Sequence, residues 1–164
     1  MSPLAGSMTG ERPMGETRTR MVRLMMPTDA NPSGNVHGGA IMKYVDEVAG
    51  IVAHRHCRRN VVTARMERMD FHEAVFVGNV LTLDAILAHT GRTSMDVVVH
   101  ITAEDMDTAE VVHTGTAWLT MVALNERHRP VPVPRVVPAT EEEKRLYEEA
   151  RNRREARKKE EKGR

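Results

Sequence analysis

Cysteine is almost missing from this 164-residue sequence: Cys57 stands alone, which excludes an internal disulfide framework and suits a reducing compartment. Aromatic residues make up only 3%, too few rings for the base stacking that single-strand nucleic-acid binders use. Neither sign of charge dominates. Lys and Arg number 24 against 23 Asp and Glu, and a net charge of +1 provides no field to gather nucleic acid or an acidic membrane. No apolar run approaches the length of a membrane span, and the first 20 residues hold no apolar segment of secretory type, so a cytoplasmic location is expected. A Gly-x-Ser-x-Gly elbow, a catalytic Cys-His signature and a phosphate-binding Gly-x-x-x-x-Gly-Lys-[Ser/Thr] loop are also missing. Covalent serine or cysteine catalysis is therefore disfavoured.

What is present suffices for one domain with a proper core. Residues 1–17, rich in Gly, Ser, Pro and charge without periodicity, read as a disordered leader in which Met8 and Met14 are further candidate starts. Alternation over Arg18 to Met26 predicts a strand, and Pro27 with the Asp29–Asn35 cluster predicts a loop. From Ile41 the apolar residues recur at 41, 45, 48, 49 and 52, the period of a helix, which is expected over Val36–His56. The helix is apolar over most of its circumference and should be buried. Asp46 lies at the rim of its apolar face, one to two turns after Gly38-Gly39, and is the residue most suited to chemistry.

The period then becomes two, predicting strands at Val61–Met69, Val80–Ala88, Thr93–Ala103 and Glu110–Leu124, with turns at Gly91-Arg92 and Glu104–Asp107. Two successive hairpins imply an antiparallel sheet, so the fold class is α+β within residues 18–128. Residues 129–139, with Pro130, Pro132 and Pro134, form an extended strap, and Thr140-Glu141-Glu142-Glu143 is a capping box that opens a charged helix over 140–164. Most of that helix reads as solvated, with Leu146, Tyr147 and Ala150 able to dock its first turns. The long apolar helix needs a wrapped sheet, a second subunit, or both to cover it.

Asp29-Ala30-Asn31, Gly34-Asn35-Val36-His37-Gly38-Gly39, Asp46-Glu47-Val48-Ala49-Gly50 and Arg55-His56-Cys57 together carry a family resemblance. With Val62-Thr63-Ala64, Asp70-Phe71-His72, Arg92-Thr93-Ser94-Met95, Pro132-Val133-Pro134 and Tyr147-Glu148-Glu149, the sequence closely resembles the hotdog-fold acyl-CoA thioesterases over about residues 20 to 155. The nearest type is the brain-type cytosolic acyl-CoA hydrolase and its bacterial single-domain relatives. The resemblance implies a central helix wrapped by a five- to six-stranded antiparallel sheet, homodimers of hotdog units, and a trimer of such dimers. It implies an acyl-CoA substrate, with coenzyme A entering and leaving as part of substrate and product and no separate cofactor. It also implies a catalytic pair contributed by opposite subunits, which falls here on Asn31 and Asp46.

Thioester hydrolysis needs a water, a base and a place for the developing oxyanion. Helix N-termini offer unpaired N–H groups, and Gly38 and Gly39 lack side chains, so the amide of Gly39, with that of Gly38, is the expected oxyanion hole. Asp46 either deprotonates water or attacks directly through an anhydride, and Asn31 holds the water or the carbonyl. On residue pattern alone, Asp46 also fits a solvated helix carboxylate, Asn31 a turn residue before Pro32, and the glycines close packing. His37 and His72 are candidates to line the site or are polar loop residues. Gly91-Arg92-Thr93-Ser94 either binds the pantetheine arm, with Arg92 at the phosphates, or is an ordinary hairpin turn. Arg58 and Arg59 are either further phosphate contacts or a solvated basic turn. His54 and His56 do not share a helix face, so no metal is expected. The rival functions are an acyl-CoA-binding hotdog sensor without turnover and a hotdog hydratase or dehydratase. The intact Asn31 and Asp46 disfavour the first, and the lack of a His one turn from Asp46 disfavours the second.

Overall fold

A computed structural model describes residues 10–67 and 69–164. In chain order, β1 (Glu11–Pro13) leads into a 3-10 turn at Met14–Glu16, and β2 (Thr19–Leu24) into a second at Pro27–Asp29. There follow α1 (Gly38–Cys57), β3 (Asn60–Met66), β4 (Val80–Thr90), β5 (Ser94–Glu104), β6 (Val111–Leu124), β7 (Arg135–Val137) and α2 (Glu141–Lys162). Strands β2, β4, β5, β6 and β3 form, in that order, one antiparallel sheet. The strand–helix–four-strand reading holds, and with it the hotdog fold.

The sheet curls around α1, which touches all five of its strands. Ile41, Tyr44, Val45, Val48, Ala49, Val52 and Ala53 fill the concave side, while Met42, Asp46, Glu47, Ile51, His54 and Arg55 stay exposed on the opposite face of the helix. Arg58 ends the helix in the left-handed region (φ 54°) and donates its N–H to the His54 carbonyl. Side chains alternate across each strand. On β5, Met95, Val97 and Val99 face the α1 side, whereas Ser94 and Asp96 face α2 on the convex side, where Arg154 reaches both. Burial on both faces explains why β5 and the second half of β4 carry near-continuous apolar runs.

Two expectations need revision. Residues 10–17 are not a disordered leader: β1 pairs in parallel with β7, and Met14 is 1% exposed. The rest of the expected leader, residues 1–9, lies outside the described residues. The pairing binds segments more than a hundred residues apart, which no local pattern can signal. The strap is extended as expected, but its end becomes strand β7, and the Pro134 carbonyl accepts a hydrogen bond from His56 Nε2 (2.6 Å). The capping box at α2 forms as read, with Glu143 N–H donating to Thr140 Oγ1.

Candidate active site

The loop before α1 is held by its own short-range chemistry. The Asn31 side-chain oxygen accepts from the backbone N–H groups of Ser33 (3.0 Å) and Asn35 (3.1 Å), an Asx arrangement that Pro32 and Gly34 accommodate. Its side-chain N–H groups have no partner among the described residues. Asp29 braces the loop against the helix, taking a hydrogen bond from the Tyr44 hydroxyl and another from the Met26 N–H (2.8 Å). The Tyr44 bond above all holds the Asp29 carboxyl below the usual carboxylate range and pushes the Tyr44 hydroxyl up. Arg23 lies over the Tyr44 ring, 4.1 Å from its centre.

α1 begins at Gly38 with His37 as its N-cap, but His37 makes no side-chain cap bond and is exposed. Its carbonyl accepts from Ala40 and Ile41, whereas the amides of Gly38 and Gly39 have no hydrogen-bond partner among the described residues. Neither glycine has a positive φ. A Cβ at Gly39 would meet nothing within 4 Å, and one at Gly38 would only touch the Phe71 ring at 3.4 Å. Close packing within the chain therefore does not explain this pair. The glycines leave two bare N–H groups at the positive end of the helix dipole.

Asp46 sits on the exposed face of α1, one turn after Met42 and one before Gly50. Thr63 of β3 donates its hydroxyl to Asp46 Oδ1 at 2.5 Å, and Met121 Sδ lies 3.5 Å from the same hydroxyl. Oδ1 is thereby fixed, and Oδ2 is left to accept from a further donor. Thr63 is the residue that the sequence reading missed as a participant. Its signal was present in Val62-Thr63-Ala64, a stretch that carried resemblance but no assigned role.

Seven residues of helix separate Gly39 from Asp46, about 10 Å at 1.5 Å per residue. One thioester carbonyl cannot touch both within a single chain. Asn31, which precedes the helix, lies on the Gly39 side of that gap.

The remaining candidates are dispersed. His72 donates its backbone N–H to the Thr114 carbonyl and stacks on His113 (6.1 Å between centres). It lines a cavity of about 400 Å³ with His100, Trp118, Leu146 and Arg153, on the α2 side of the sheet and away from Asp46. In the Gly91–Ser94 hairpin, the Gly91 N–H donates to the Ser94 carbonyl, and the Arg92 and Thr93 carbonyls accept from Val133 and Ala123. A Cβ at Gly91 would strike the Arg154 guanidinium, which also holds the Ser94 hydroxyl. Those contacts account for Gly91 and Ser94 structurally, while the Arg92 side chain stays exposed. A groove of about 630 Å³ runs along the open face of α1, lined by Glu47, Gly50, Ile51, Arg55 and Arg58 among others. His56 and Cys57 are buried while His54 is exposed, and among the described residues no three potential ligands converge to hold a metal. No helix among the described residues is long and apolar enough to cross a membrane.

Known proteins resemble this chain in sequence and fold. Residues 33–110 match the family model described as thioesterase superfamily. An uncharacterised acyl-CoA thioester hydrolase of Bacillus subtilis, YkhA, is 39% identical over 82% of this chain and 78% of its own. The crystal structure of an apo-hexameric acyl-CoA thioesterase superposes with a TM-score of 0.87 at 44% identity, covering 92% of this chain and 97% of that one. An acyl-CoA hydrolase from Staphylococcus aureus, solved with butyryl coenzyme A and coenzyme A, gives 0.82 at 33% identity over 93% and 95% of the two chains. Structures of that hydrolase also exist for alanine variants at an asparagine, an aspartate and a threonine, spaced along its chain as Asn31, Asp46 and Thr63 are here. The cytosolic acyl coenzyme A thioester hydrolase of Rattus norvegicus is 38% identical over 84% of this chain, which spans only about a third (36%) of that relative's length. Similarity of this extent and depth, on a sheet curled around one long helix, establishes that the chain belongs to the thioesterase superfamily, in its hotdog fold.

Proposed function

We propose that the protein hydrolyses acyl-CoA thioesters to free fatty acid and coenzyme A at sites shared between two copies of the chain. The observation that carries this is the pairing of Asp46 with Thr63 on the open face of α1, about 10 Å from the nearest bare helix-terminal amide. A two-fold axis that sets the α1 helices side by side and antiparallel brings Asp46 and Thr63 of one copy opposite the Gly38–Gly39 amides and Asn31 of the other. Reacting groups need to come within about 3–3.5 Å of one another, and that arrangement supplies the base and the amides from α1 and β3 and Asn31 from a hydrogen-bonded loop.

In this scheme Asp46, with Oδ1 held by Thr63, uses Oδ2 to orient water and take its proton as the oxygen attacks the thioester carbon. The Gly39 amide, with Gly38 beside it, donates to the carbonyl oxygen as it gains charge. Asn31 uses its free side-chain N–H groups to hold the water or that oxygen. The matching spacing of the asparagine, aspartate and threonine replaced in the Staphylococcus hydrolase supports these assignments. Coenzyme A leaves with the thiol, and the reaction needs no cofactor. The hexameric neighbour supports assembly of such dimers in threes, and the cytosolic name of the rat relative supports a cytoplasmic location.

Thiol release from a series of acyl-CoAs, acetyl to stearoyl, tests the reading. The wild-type protein should turn over, and Asp46→Ala should lose about 10²- to 10⁴-fold in kcat with fold and assembly intact. Tight acyl-CoA binding without thiol release from any member of the series would replace the hydrolase with a sensor. Hydration of an enoyl-CoA without thioester cleavage would establish a hydratase instead.

A further inference from the structure

β3 contains one irregularity. Its register against β6 slips between Thr63, opposite Met121, and Arg65, opposite Thr120, so Ala64 is an extra residue in a β-bulge. In a regular strand, residues four apart share a face. Across the bulge they do not: Thr63 points to Asp46 on the α1 side, and Glu67 points to α2 on the other. The bulge thus aims the Thr63 hydroxyl, and whatever holds the bulge in register holds that aim.

What holds it is a set of charges from α2. Glu67 accepts from Arg153 Nη2 at 2.7 Å and from Arg157 Nη1 at 2.6 Å, with its side chain only 14% exposed. Arg157 is anchored in turn to Asp96 (3.2 Å) and Thr120 (3.3 Å), and Thr120 is the very residue that faces Arg65 across the slip. Arg153 also lies over the Trp118 ring at 4.6 Å, and the Glu67 N–H donates to the Trp118 carbonyl at 2.9 Å. At Asp70 the chain lies close against β6: a Cβ at Gly115 would stand 2.8 Å from the Asp70 carbonyl. It then brings Phe71 over Gly38 and pairs Phe76 with Asn35 in the loop of Asn31. The clamped segment therefore leads from Thr63 to the helix N-terminus.

We infer that Glu67, gripped by Arg153 and Arg157, is a positioning residue for the hydrolytic site: the α2 clamp fixes the Ala64 bulge and through it the Thr63 hydroxyl on Asp46. This rests on the proposed hydrolase reading, and it gives the charged helix a task in turnover beyond covering the sheet.

A double-mutant cycle on the full-length assembled protein tests it. Glu67→Gln, and independently Arg157→Lys, should lower kcat by between about 10- and 100-fold with KM within about twofold, since a small misplacement far from the chemistry has effects of that size. In a Thr63→Val background the same changes should lower kcat no further, because the group they position is gone. Amide exchange should rise in residues 60–66 of Glu67→Gln and stay unchanged in β4 and β5. Additive losses in the cycle would overturn the inference, as would exchange in residues 60–66 that matches wild type. The exchange result decides the clamp even if the wild-type protein releases no thiol, an outcome that would instead overturn the hydrolase reading.

Discussion

Asp96→Asn should be the most damaging near-isosteric change on the convex face. Asp96 is 3% exposed, and its Oδ1 accepts from Thr120 (2.9 Å) and Arg157 (3.2 Å) while Oδ2 accepts from Arg154 (3.1 Å), with His89 Nδ1 at 3.4 Å. Burial alone would push this carboxyl up, but His89, Arg154, Thr120 and Arg157 outweigh it and hold it below the usual carboxylate range. Asparagine keeps the shape and removes the charge. Two hydrogen bonds from guanidinium groups, each contributing about 1.5–3 kcal/mol, lose their ionic partner. Arg157 keeps Glu67 and Arg154 keeps Ser94, so neither cation is stranded, and the loss should fall near the lower bound, about 3 kcal/mol. For a chain of this length that corresponds to a melting-temperature drop of about 6–12 °C, read by thermal or urea unfolding at fixed protomer concentration. Asp84→Asn, whose partner Arg18 is half exposed, should lose about 1 kcal/mol or less. The sign with pH is fixed. A carboxyl whose folded pKa lies below its unfolded value of about 3.9 stabilises above that value and ceases to as pH falls through the folded one. The gap between wild type and Asp96→Asn should therefore close below about pH 4. A melting shift under about 2 °C at neutral pH would refute the reasoning, because it would mean that α2 docks without this charge.

Two further outcomes follow from the structure. Gly39→Ala should fold normally and gain up to about 1 kcal/mol of helix stability, since a Cβ there meets nothing within the chain, yet its methyl would crowd a thioester carbonyl approaching the neighbouring amide and thiol release should fall; unchanged turnover would show that no substrate atom comes that close to Gly39. His56 is buried, with its ring held below the usual histidine range by that burial, so the unfolded chain binds the proton more readily. Stability should fall as pH drops below about 6.5, by at most about 1.4 kcal/mol per pH unit, and urea titrations of His56→Gln should show a shallower slope over pH 5–7.

Local pattern carried the reading where a single period ruled. The recurrence at 41, 45, 48, 49 and 52 marked α1 to within two residues, while alternation marked β4 and a β-branched run marked β5. The pairing of Asn31 with Asp46 came from resemblance and the glycine amides from the helix start that they open, and the geometry adds that nothing among the described residues takes those amides and that the gap to Asp46 is too wide for one chain. Thr63 was hidden because its value depends on a bulge, a one-residue slip that changes which face it meets and leaves no compositional mark. The charged helix is mostly solvated, as read, with Leu146, Tyr147 and Ala150 among its less exposed residues, but its ion pairs were hidden for a related reason. Arg153, Arg154 and Arg157 look like solvent residues until the carboxylates of Glu67 and Asp96, remote in sequence, are placed beneath them. His72 shows the converse: it adjoins Phe71, which does reach Gly38, but alternation turns it to the opposite face.

The parallel pairing of β1 with β7 has a consequence for synthesis. Glu11–Pro13 leaves the ribosome early, and its partner Arg135–Val137 is made more than a hundred residues later, just before the arginines that neutralise Asp96 and Glu67. Contacts between such distant segments close late, because the loop between them must lose its freedom first. Until then the nascent sheet carries two carboxylates without their arginine partners on its convex face and an unpaired β1. Both are resolved only once residues 135–157 are in place, so a chain that stops short of Arg157 would leave Glu67 and Asp96 open to water on the convex face and α2 without anchors that fix it there.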